Sequence, residues 1–128
     1  MSRDETEFIN HQKFDEAIEK ACSASLRITS DILRFQRYYK QENVNLSRGF
    51  NFTLLENLAG RYSLYEIYVG PNDSYRAVVM FLHSRVQGRE LAIWIFAFKK
   101  QRGIDRPLVE RAKAIAREYW NSLERGQR

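Results

Sequence analysis

Only one cysteine, Cys22, occurs in the 128 residues, which rules out an internal disulfide. A lone thiol fits an intracellular, reducing setting, and its helical surroundings read as those of a small core residue rather than a nucleophile. Long apolar runs are also missing. No stretch approaches the roughly 20 apolar residues that a membrane helix needs, so no membrane role is expected. The amino terminus, Met1-Ser2-Arg3-Asp4-Glu5, is acidic and polar, the wrong chemistry for a secretory signal. Internal repeats, low-complexity tracts and linkers are absent too. What remains is one domain over residues 1–128, long enough for a core, with a cytoplasmic location expected.

The densest information lies between Ser63 and Lys100. Leu64–Val69, Tyr75–Leu82 and Leu91–Phe98 are rich in Val, Ile, Phe, Tyr and Trp, the residues of strands. Turn-forming residues separate them: Gly70-Pro71-Asn72-Asp73-Ser74 first, then Ser84 to Arg89 with Gly88 near its end. Links this short predict an antiparallel meander of three strands. The third strand alternates Leu91, Ile93 and Ile95 with Trp94, Phe96 and Phe98, so it is expected to be central and covered on both faces.

Upstream, Thr6–Asn10 is a candidate short first strand. Phe14, Ile18 and Ala21-Cys22 recur at helical spacing, and Leu26, Ile32-Leu33, Gln36 and Tyr39 repeat the pattern. Two helices with a break near Ser23–Ser30, or one long bent helix, satisfy this, and two are preferred. Gln41–Phe52 reads as a polar loop, and Thr53–Leu58 as a short helical turn docking Leu54 and Leu58 on the core. After the strands, Gly103 breaks the chain, Asp105 is placed to cap a helix, and Pro107 suits its first turn. Leu108, Ala112, Ile115, Tyr119 and Leu123 then mark an amphipathic helix, with Glu124–Arg128 expected to fray. The layout is α+β: a short first strand, two helices, a small mixed or antiparallel sheet and a carboxy-terminal helix.

Charge is unevenly spread. Basic and acidic residues balance up to Phe98, and the whole excess of +5 lies from Lys99 onward. Such asymmetry points to an anionic partner, nucleic acid above all.

Leu64-Tyr65-Glu66-Ile67, Tyr75-Arg76 opening the next strand, Phe98-Lys99-Lys100 closing the third, and Pro107 leading into an Ala-rich basic helix together resemble the RelE superfamily. More narrowly, they are similar to its phage-derived HigB-like branch of bacterial toxins, over about Leu54 to Tyr119. Tyr68 departs from that branch, which carries Arg there. The resemblance implies a RelE-like fold and a toxin neutralised by a co-expressed antitoxin, expected to be a helix-turn-helix protein with an acidic surface. It further implies cleavage of messenger RNA, usually on the ribosome, by attack of the ribose 2′-hydroxyl on the adjacent phosphate. No metal or other cofactor is needed for this, because cationic side chains can bear the developing charge. Two other readings stay open: a ParE-like inhibitor of DNA gyrase, and a silent binding module on the same fold.

By this resemblance Arg76 contacts the scissile phosphate, and Lys99 and Lys100 join it, although alternation along a strand sends their side chains apart. His83 is a candidate proton shuttle. Arg102 and Arg106 are candidate RNA contacts, and Tyr65 and Tyr68 are candidates for stacking on a base. Glu66 reads as a structural partner of Arg76 that becomes a base only if it stands beside the phosphate.

Overall fold

The computed structural model describes residues 5–41, 46–84, 86–101, 103 and 105–126. Strand β1 (Glu7–Asn10) leads into helices α1 (Gln12–Lys20) and α2 (Ser25–Lys40). Strands β2 (Phe52–Leu58), β3 (Tyr62–Val69), β4 (Tyr75–Leu82) and β5 (Leu91–Lys99) follow, and helix α3 (Arg106–Gly126) ends the described chain. They form one five-stranded mixed sheet in the order β1-β5-β4-β3-β2. β1 runs parallel to β5, and every other pair is antiparallel. The α+β layout is as expected, with one strand more than the sequence suggested. None of the helices, among the described residues, is long and apolar enough to cross a membrane.

β5 lies inside the sheet, and Ala92 to Phe98 are all buried. One face packs under α1 and α2 through Phe14, Ile28, Ile32, Phe35, Trp94 and Phe81. The other packs under α3 through Leu64, Val78, Met80, Ile93, Ile95, Ala112 and Ala116. The simple alternation expected along β5 breaks at a bulge. Val78 pairs with Phe96 and Val79 with Trp94, leaving Ile95 without an opposite residue. Phe96 and Phe98 therefore share the α3 side with Ile93 and Ile95 instead of siding with Trp94.

Three further expectations are corrected. Thr53–Leu58 is not a helical turn but most of edge strand β2, paired with β3 around a bulge at Leu55. Cross-strand partners decide a segment of such mixed propensity. Cys22 is not a core residue: it is exposed, with φ +49°, in the 3-10 turn that separates α1 from α2. That kink decides for two helices over one. Glu124–Gly126 continue α3 rather than fraying, and residues 127–128 lie outside the described chain. Within the expected loop Gln41–Phe52, Leu46–Arg48 form a short 3-10 turn and Phe50 packs on Phe35 at 5.3 Å between ring centroids.

Candidate functional site

Where β3 and β4 approach the start of α3, the apolar layer under that helix gives way to polar groups. Strand alternation puts Leu64, Glu66 and Tyr68 on the α3 side of β3, and Arg76, Val78 and Met80 on the same side of β4. The turn between the strands is held from behind. Asp31 of α2, itself buried, accepts the Gly70 N–H at 2.8 Å and is flanked by Arg27 and Arg34 at 3.3 and 3.7 Å. Gly70 has φ +83°, and a Cβ there would lie 2.9 Å from the Tyr75 ring, so both backbone and space require glycine.

Arg76 is only 4% exposed. Its Nη1 donates to the carbonyls of Asp73 at 2.8 Å and Tyr75 at 3.2 Å, and the Tyr68 ring covers its guanidinium at 3.5 Å. Tyr68 is steadied in turn by a 3.2 Å hydrogen bond between its hydroxyl and Thr53 Oγ1. Arg76, expected to contact the scissile phosphate, is thus a sheltered charge.

Glu66 stands beside it. Its Oε2 is buried and has no hydrogen-bond partner among the described residues. Burial pushes the Glu66 carboxyl above its ordinary range, the Asp105 carboxylate adds to the rise, and the charges of Arg76 and Lys100 oppose it. Asp105 does not cap α3 with its side chain. Its backbone carbonyl takes the N–H groups of Leu108 and Val109, while its carboxylate accepts the Gln101 N–H at 2.9 Å.

Alternation divides the two lysines, and the β5 bulge sets which side each takes. Lys100, tied by its N–H to Ser74 O at 2.8 Å, falls on the α3 side with Glu66. Lys99 falls on the opposite side and lines a cleft with α1. A shift of one residue along a strand sends each side chain to the other face, and here the bulge supplies that shift. The site therefore joins Glu66, Tyr68, Arg76, Lys100 and Asp105.

Two expected members do not belong to it. His83 follows the far end of β4, seven residues from Arg76 and so about 23 Å away along the strand. It is exposed and shares a 2.8 Å hydrogen bond with Ser63 Oγ, so it cannot move protons at Arg76. Tyr65 points to the α1/α2 side, against Phe52 and Phe81, away from Tyr68. Arg106 is exposed at the first turn of α3, and Arg102 lies outside the described residues. In the sequence Glu66 reads chiefly as a partner for Arg76. Its motif position beside the arginine was a signal, but desolvation of one oxygen is visible only in three dimensions.

A carboxyl held above its usual range by burial has the character of a proton-transfer group, and the nearby cations can stabilise an anionic transition state beside it. Compared with models of protein families, with curated proteins and with solved structures, the chain gives no significant match.

Proposed function

We propose that the protein is an endoribonuclease toxin of the RelE/HigB type, which cuts messenger RNA at the ribosome without a metal and is held in check by an antitoxin. The observation that carries this reading is Glu66 on the motif strand β3: a carboxyl whose Oε2 is desolvated and, among the described residues, without a hydrogen bond, and which feels the charges of Arg76 and Lys100. In this scheme Glu66 takes the proton of the ribose 2′-hydroxyl. The 2′-oxygen forms a bond to phosphorus and the bond to the 5′-oxygen breaks, giving a 2′,3′-cyclic phosphate. The 5′-oxygen leaves as a hydroxyl by taking a proton from the Lys100 ammonium. The fixed charge of Arg76 lowers the energy of the crowded phosphorane, and Tyr68 must swing off the guanidinium for direct contact. The acidic antitoxin would cover Lys100 and Arg106, by complementarity of charge.

The burial of Arg76 favours a second reading, a protein inhibitor of DNA gyrase or a silent binding module on the same fold, because neither needs an open arginine. Primer extension on messages from a translating bacterial extract separates the two. Wild-type protein is expected to produce new ends within translated regions. Glu66→Gln should slow their formation roughly 10²–10⁴-fold, the usual loss for an acid–base group. Growth arrest in cells without new RNA ends would transfer the proposal to the gyrase-type reading.

A further inference from the structure

β1 pairs only with the first half of β5, from Leu91 to Trp94, so the second half has no strand beside it there. α1 and the flank of α3 close over that gap incompletely and leave a cleft of about 370 Å³. This is within the size of small-ligand pockets, roughly 300–1,000 Å³. Its walls carry Lys13, Lys20, Lys99 and Arg111 against one acid, Glu16. Only Lys13 is paired with that acid, at 3.5 Å. Among the described residues Lys20, Lys99 and Arg111 form no ion pair, and Arg111 rests over the Phe96 ring at 5.2 Å. Tyr75, half-buried, supplies an aromatic wall.

We propose that this cleft binds the nucleotide next to the cut site of a single-stranded RNA, a proposal that rests on the ribonuclease reading above. The cleft and the Glu66 site meet at the end of β5. Lys99 faces the cleft and Lys100 faces Glu66, so one strand end presents a cation to each of the two sites. An RNA strand crossing there passes Lys100 with its reacting phosphate and enters the cleft with the neighbouring one. Unpaired cations beside an aromatic wall are the chemistry that holds single strands without regard to sequence. An acidic peptide would satisfy the charge but leave the shape and the ring of Tyr75 unused.

The test uses a fluorescent 2′-O-methyl RNA hexamer, which cannot be cut, and reads affinity by anisotropy across a salt series. Removing one phosphate contact lowers affinity about fivefold near 0.1 M salt and flattens the logarithmic salt slope by about 0.7. Lys20→Ala with Lys99→Ala is therefore expected to cost about 25-fold and about 1.4 of slope. Backbone amides of Ala17, Ala21 and Tyr75 should shift when the hexamer is added to the wild type. Unchanged affinity in the double variant would overturn the proposal. So would a poly-glutamate peptide that shifts the same amides with equal affinity, which would mark the cleft as a protein-docking site. Hexamer binding through the cleft, with no new ends in the primer-extension assay on translated messages, would remove the nuclease reading alone. Cutting that persists with binding indifferent to Lys20 and Lys99 would remove the cleft alone.

Discussion

On the side of the sheet covered by α1 and α2, Trp94 is fully buried among Phe8, Phe14 and Phe35, with ring centroids 6.1, 5.8 and 5.7 Å away. On the α3 side the layer beneath Ala112 and Ala116 mixes aliphatic Val78, Met80, Ile93 and Ile95 with Tyr62, Phe96 and Phe98. Among the described residues each side leaves an indole N–H buried without a partner, Trp94 on the first and Trp120 on the second. The contrast is in the charges. Asp31, buried on the α1/α2 side, is answered by a backbone N–H and two arginines, whereas Glu66 on the α3 side has an oxygen with no answer among the described residues. On the first face the buried carboxylate is satisfied and serves stability. The other holds a buried carboxylate oxygen without a hydrogen bond among the described residues, where the chemistry is proposed, as expected where function is kept at some cost to stability.

The largest test of this contrast is Trp94→Ala, which empties the ring cluster and should cost about 3–5 kcal/mol in equilibrium denaturation. A loss below about 1 kcal/mol would mean that the aromatic face is not the main support of the fold. Asp31→Ala should cost less, about 1–3 kcal/mol, because it leaves the Gly70 N–H buried and unmet. Amide exchange at Gly70 should accelerate with it. Glu66→Gln should act in the opposite direction. Burial raises the Glu66 pKa in the folded state, so folding favours the protonated acid. The ionised group therefore lowers parent stability only above the ordinary carboxylate range, with the effect levelling off above the raised pKa. At pH 8 the variant should be the more stable by about a few tenths of a kcal/mol, small because the group is partly screened by solvent. At pH 4 the two should coincide. A variant less stable than the parent at pH 8 would show that the carboxylate is satisfied after all. Smallest of all is His83→Ala, which should change RNA cutting by less than about twofold, since the ring stands at the other end of β4.

Much of this was legible in the chain. Strand β4 matches its expected bounds, Tyr75–Leu82, because a run of β-branched and aromatic residues lay between clear turn residues. The start of α3 was marked by Asp105 and Pro107, although the main chain of Asp105 does the capping. β2 was missed because Leu54, Leu55, Glu56 and Leu58 are good helix formers, and their strand state comes from pairing with β3. At the site, the sequence pointed to Arg76 and Lys100, but not to the cover of Tyr68 or the exclusion of His83.

Composition and spacing alone determined that an α+β domain would form, with its basic excess following the last strand, because periodicity and turn chemistry act over a few residues at a time. Tertiary structure alone decided which groups meet. The bulge at Ile95 sends Lys100 to the side of Glu66 and Lys99 to the side of α1. The packing of β3 and β4 against the start of α3 then removes water from one carboxylate oxygen, and burial raises the pKa of Glu66.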